Sequence, residues 1–281
     1  MMTAQRVADT QCRFVDFMAL LAQDLSSGQI TFPTFVDATL KIRNALSDPD
    51  IEAGRLAQII SSEPLLPAKV MRTANSVAFN PSGDPISNVK TAVIRVGHSM
   101  VRTIAVTVSL EQMQSAQELL SVRERTKTIW RHSIDVAAIS YVIAQHMTNI
   151  NPDEALFAGL VHDIGKFYLL SRVARFAELR YEDEELDTLL QDWHASIGNV
   201  VLATMDVPPT TLEAVSEHEL GEYRMPPRSM ADVVVLANLS AHALQSSGAS
   251  DPEGVLDEPE VAELLRSTET EILSLVTALR G

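Results

Sequence analysis

The chain has 281 residues, with 22 basic against 37 acidic side chains and a formal charge of −15 at neutral pH. Such a balance repels phosphate backbones on average, which disfavours direct nucleic-acid binding. A hydrophobic share of 46% with 21% charged residues is ordinary for a soluble globular protein, and the length suffices to bury a large core.

Only 5% of the residues are aromatic, so aliphatic side chains must supply most of the core. The opening "MMTAQRVADTQCRF" lacks a basic segment followed by an apolar one, and no run approaches the eighteen apolar residues of a membrane span. Cys12 is the single cysteine; it rules out an intramolecular disulfide and suits a reducing compartment. A cytoplasmic protein with no membrane contact is expected.

In chain order, apolar residues recur at helical spacing, and period-two alternation bounded by hairpin turns is missing. Breaks fall at Pro33, "DPD" 48–50, Glu63-Pro64 and "NPSGDP" 80–85, then at "NINP" 149–152, "VPPTT" 207–211, "MPPR" 225–228 and "SSGASDPEG" 246–254. About a dozen helices are expected between them. Glu63 favours the positive end of the helix after Pro64, Asn75-Ser76 sits where that helix should stop, and Gly97 suits a turn. Arg72, Lys90 and Arg95 read as solvated faces, with a partner's anion as the other reading. The acidic run Glu182-Asp183-Glu184-Glu185 reads as solvated surface. At the C-terminal end Val261, Leu264, Leu265, Thr268, Ile272, Leu275, Val276 and Leu279 make one apolar stripe, expected to close the core.

The stretch 159–166, "GLVHDIGK", carries the chemistry. Asn151 can cap its helix, with Pro152 in the first helical position and Glu154 three residues after the cap. The helix is expected to run through Leu160 and Val161 into His162. Adjacent helical residues point about 100° apart, so His162 and Asp163 can converge only on an ion between their directions, with Lys166 on the same side. An imidazole, a carboxylate and a nearby cation suit metal-assisted phosphoryl hydrolysis. Further ligands are sought among histidines beside apolar segments: His132 in "WRHS", His194 in "WHASIG" and His218 in "SEHE". Each is also readable as an ordinary core or boundary histidine, and Asp163 as the anchor of a metal-free hydrogen-bonded network.

"WRHS" followed some thirty residues later by "LVHDIGK" resembles the HD superfamily of metal-dependent phosphohydrolases. "HASIG", "VPPTTLEAVSEHE" and "MADVVVLANLSAHAL" follow in that superfamily's order, over roughly residues 126–245. The resemblance implies that His132, His162 and Asp163 hold a divalent metal such as Fe, Mn, Mg or Zn, and that Asp163 and Lys166 would take part in catalysis. It also implies an acid where this chain has Asn238, whose amide binds hard cations more weakly; His242 lies one turn further on. Where the related HD-GYP phosphodiesterases have "HHE", this chain reads Glu217-His218-Glu219, so Glu217 is a further ligand candidate, and the "GYP" segment is replaced.

Residues 30–110 resemble the HDOD domain, the HD-related output domain of bacterial signalling proteins. The matching elements are Phe32-Pro33, Asp48-Pro49, Ile59 to Leu66, Ala74-Asn75-Ser76 and Ala92-Val93-Ile94-Arg95-Val96-Gly97, with Glu63-Pro64 in place of the usual Asp-Pro. The resemblance implies an all-α, multi-helical HD-like fold with an N-terminal helical part, residues 1–125, and an HD-like part with a closing helix, residues 126–281. It implies a regulatory module acting through signalling protein partners or a bound nucleotide or phosphate ligand, without catalysis. The other reading is a metal-dependent phosphohydrolase acting on a nucleotide, cyclic dinucleotide or phosphate ester.

Overall fold

The computed structural model describes residues 37–46, 50–114, 117–175, 183–204, 207–219, 223–245 and 254–280, with a few isolated positions besides. The readings made at Cys12, Phe32-Pro33, Pro49 and Glu182 lie outside these residues. All regular structure among the described residues is helical, as the spacing of apolar positions predicts.

The first helices are α1 (Asp37–Leu46), α2 (Ala53–Ser61), α3 (Leu66–Ala74) and α4 (Val89–Gln114). After a 3-10 turn over Gln117–Val122 come α5 (Arg123–Met147), α6 (Pro152–Val161), α7 (Ile164–Arg175), α8 (Asp183–Ala203), α9 (Pro209–Glu217) and α10 (Met230–Gln245). The last helices are α11 (Pro259–Ser267) and α12 (Glu269–Arg280).

Helix α5 is the axis of the molecule, because it is apolar nearly all round beyond Ser133. Its Ile134, Ala137 and Val142 join an apolar cluster that reaches from Ile42 in α1 to Leu202 in α8. Its Val136, Ile139 and Ile143 face a second cluster built with α6, α10 and α11. A helix buried on both sides holds its polar side chains wherever the packing leaves them, and His132 is one of these.

Helix α4 is long and apolar enough to cross a membrane by length and composition, an exception to the expectation that no such stretch exists. Two thirds of that window is buried inside the protein, as befits a core helix. Gly97 breaks it, with φ +77, a backbone conformation that glycine adopts without steric cost.

"ANS" 74–76 acts as a staple. Asn75 stands at the C-cap of α3; its Oδ1 accepts from Ile86 N at 2.8 Å, and its Nδ2 donates to Met71 O and Ile86 O. The 77–88 loop is thereby held against the helix end. Arg72 Nε donates to Ala278 O at 3.2 Å. Beside it the buried Lys69 Nζ donates to Leu279 O at 2.8 Å and pairs with Glu111 at 2.5 Å. Cations on the terminal carbonyls of α12 complement its dipole, so the closing helix is tied to α3.

The stripe from Val261 to Leu279 is buried or partly buried as expected but belongs to two helices, broken at Thr268. The Thr268 hydroxyl donates to Leu264 O at 2.8 Å, and a threonine that hydrogen-bonds back to its own helix offers that helix a place to end.

Candidate metal centre

Asn151 caps α6 as its position predicts, accepting from Asp153 N at 2.9 Å. The helix stops at Val161, however, one residue short of the expected run. His162 and Asp163 form the junction to α7, so their side chains are spread by a turn and both face inward; they are 0% and 1% exposed. Lys166, in the first turn of α7, donates to Asp163 Oδ2 at 3.0 Å.

Two close backbone approaches bring the remaining groups in. A Cβ on Gly165 would stand 1.9 Å from His194 O, so only glycine lets α7 lie flat on α8 and bring His194 to Asp163. A Cβ on Gly159 would come within 2.9 Å of Ala137 Cα, and the absence of one seats α6 against α5 below His132. His218 arrives at the C-terminal end of α9, and Asn238 from α10.

His132, His162, Asp163, His194, His218 and Asn238 are all buried and all brought together. Glu217, the last residue of α9, is not among the grouped metal-capable donors; Glu219, two residues on, is. No sequence signal separates the two: α9 ends at Glu217, and the chain beyond it places Glu219 with Asp163, His194 and His218. The donors fall into two groups that share Asp163: His132 with His162, and His194 with His218 and Glu219.

Backbone carbonyls set the tautomers. The Nδ1 atoms of His162, His194 and His218 lie 2.7 Å from Gly159 O, Leu190 O and Val215 O. A carbonyl only accepts, so each Nδ1 carries a proton and each Nε2 faces inward; on His162, which burial holds neutral, that Nε2 is a lone pair. The Nε2 of His162 is buried without a hydrogen-bond partner, while Asp163 Oδ1 lies 2.9 Å from Lys166 Nζ. Histidines oriented by a second-nitrogen hydrogen bond are the usual form of metal ligands.

On the other side, His132 Nε2 donates to Asn238 Oδ1 at 2.8 Å, and the His242 ring lies against His132 with centroids 4.3 Å apart. His242 is exposed and lies against the outer side of His132.

Burial pushes His132 down to about 4 and holds His162 well below the usual histidine range. Burial would raise Asp163, but His162, Lys166 and His218 outweigh it and keep the carboxyl well below its ordinary value. Burial would lower His218, yet its hydrogen bonds to Asp163 and Glu219 push it up to about 9. Hydrogen bonds from His194 and His218 hold Glu219 well below the carboxylate range. The cluster therefore carries anionic carboxylates and draws cations to itself. Lys166 also lines a surface cavity of about 640 Å³ with Arg125, Ile129 and Leu190.

An all-helical framework with an HD-type His and His-Asp pair at its centre defines an HD-related domain. The family model for the HDOD domain matches residues 32–220, and the chain belongs to that family. Among solved structures, a candidate metal-dependent phosphohydrolase from Shewanella amazonensis is 25% identical, with a TM-score of 0.76 over 95% of this chain and 99% of its own. An HDOD domain protein of unknown function from Geobacter sulfurreducens is 20% identical, with a TM-score of 0.60 over 94% and 98% of the two chains. A Treponema pallidum protein of uncharacterised function is 21% identical over 239 residues, covering 80% of this chain but only 45% of the relative's length.

Proposed function

We propose that this chain is a signalling module of the HDOD type, in which the HD-derived pocket does no chemistry and the helical body acts through protein partners. One observation carries the reading: where the HD resemblance implies an acid, Asn238 takes the Nε2 proton of His132 at 2.8 Å. A neutral hydrogen bond then stands where the resemblance implies an anionic metal ligand. Burial supports the same reading, since His162, Asp163, His194 and His218 are at most 1% exposed. The likeness to a solved structure described as a candidate signal-transduction protein from Marinobacter aquaeolei, with a TM-score of 0.55 at 18% identity, agrees in fold.

A second reading, a metal-dependent phosphohydrolase acting on a nucleotide, cyclic dinucleotide or phosphate ester, draws on the cavity beside Lys166. A bound metal would supply an activated water there. Lys166 would steady the leaving or transferring phosphoryl oxygens, and Asp163 would orient both. The two are separated by assaying hydrolysis of phosphomonoesters, phosphodiesters and cyclic dinucleotides with Mn²⁺, Fe²⁺ or Mg²⁺ in wild type, His162→Ala and Asn238→Asp. No turnover in wild type supports the signalling module. Metal-dependent turnover abolished by His162→Ala overturns it.

A further inference from the structure

Of the three cations whose sequence context admits a partner's anion, Arg72 is partly buried and donates to Ala278 O, whereas Lys90 and Arg95 are exposed. We infer that the groove between α2 and the first turns of α4 docks an acidic segment of a protein partner. The inference rests on the reading that the helical body works through protein partners, and it names their chemistry.

The groove encloses about 1050 Å³, with Glu52, Gly54, Arg55, Ser61, Asn88 and Lys90 among its lining residues. Lys90 leans across to α2: a Cβ on Gly54 would stand 3.8 Å from its Cε and 4.0 Å from its Nζ. The ammonium therefore lies over the helix that carries Arg55. Both cations are exposed, and neither forms an ion pair among the described residues. In a chain with 37 acidic side chains against 22 basic ones, two cations that share a cavity and meet no carboxylate are not what the average balance supplies.

The cationic character continues along α4. Residues 85–110 contain Lys90, Arg95 and Arg102 and no acidic residue. Lys90, Thr91, Ile94 and Arg95 are all exposed, and at helical spacing they share an arc of about 140°. Ile94 stands in that arc 64% exposed, an aliphatic side chain that gains by leaving water. Arg95 gives one N–H to Phe79 O at 3.3 Å, which fixes where its guanidinium lies and leaves further donors.

The charge balance selects the occupant. Arg55 and Lys90 against Glu52 leave the groove one net positive charge, which is little for a phosphate dianion. Cations spaced over two helices, with an aliphatic side chain among them, match carboxylates spaced along a chain that also carries apolar residues. A nucleic-acid strand has a denser row of charge, so the overall charge of −15 repels it more strongly.

The test is fluorescence anisotropy of the full chain with a labelled synthetic peptide of Glu and Asp residues around two central leucines. Wild type is expected to bind it, and not to bind the same peptide with Lys in place of the acids. Arg55→Glu combined with Lys90→Glu is expected to weaken binding by more than about 10-fold, and Ile94→Ser by about 3- to 10-fold, because a reversed charge repels while a lost apolar contact only fails to attract. Arg266→Glu, which reverses an exposed cation on α11, is expected to stay within about twofold. All these side chains are on the surface, and melting temperatures near that of wild type check that the variants fold. Absence of peptide binding by wild type overturns the inference, and so does an equal loss from Arg266→Glu. Displacement of the peptide by inorganic phosphate or a single-stranded oligonucleotide, at lower concentration than unlabelled peptide requires, gives the groove to another ligand class and also overturns it. Hydrolysis by the metal-loaded wild type would instead sink the non-catalytic reading and leave the peptide site in place.

Discussion

Two of the places where the described residues bury charge, at Lys69 and at Asp163, are built on different rules. At Lys69 the ammonium is used up: it pairs with Glu111 and donates to Leu279 O, while Arg72 covers Ala278 O. At Asp163 the charge is as deep and is met by Lys166, yet beside it His132 Nδ1 and His162 Nε2 are left without hydrogen-bond partners. Buried polar groups are normally satisfied, and one that is not carries a cost of about 1–3 kcal/mol. Burial of charge is therefore no sign of function by itself. Convergent lone pairs that nothing satisfies are a better one.

The largest expected effect comes from breaking the satisfied cluster. Lys69→Met leaves Glu111 and Leu279 O without their donor, and should cost about 3 kcal/mol in urea unfolding; a loss near zero would mean that the ties to α12 are ornamental. Next, Gly165→Ala forces α7 away from α8 and should cost about 1–3 kcal/mol, with the His194 ring resonances shifting by NMR while those of the Lys69 region stay put. Shifts at both places would show that the regions are mechanically one. Asn238→Ala removes the acceptor of a buried donor and should cost about 1–3 kcal/mol in urea unfolding.

The smallest effect is a pH slope. Burial raises Glu111 above its ordinary value of 4.5 despite the pairing with Lys69. The folded protein thus prefers the protonated form, so the group costs nothing below that pH and costs progressively more as pH rises through its folded value. Wild type should lose stability relative to Glu111→Gln across a window opening near pH 4.5. A slope of the opposite sign would mean that the ion pair outweighs its desolvation.

The sequence announces the helices because their spacing and caps are local: Asn151 caps α6 from two residues away, and "ANS" ends α3 where its polar residues can turn back on the backbone. It announces the centre in part for the same reason, since His162, Asp163 and Lys166 lie within one turn. What it conceals depends on the third dimension. The break between Val161 and Ile164 leaves an unbroken apolar pattern, so one helix reads as well as two. Glu217 and Glu219 flank the same histidine, and only the end of α9 decides which one meets Asp163. The carbonyls that Lys69 and Arg72 meet lie 210 and 206 positions away, where no motif reaches.

That last separation has a consequence for synthesis. While the chain is being made, α3 and α4 can assemble early, but Lys69 then has Glu111 and water for company until nearly the whole stretch to residue 279 has left the ribosome. Contacts so far apart in sequence form late, since a long loop must close before they are rewarded. The N-terminal half is therefore expected to wait in a loosened state, with a charged side chain exposed where α12 will later lie. A nascent chain stalled before α12 should be a target for chaperones at that surface.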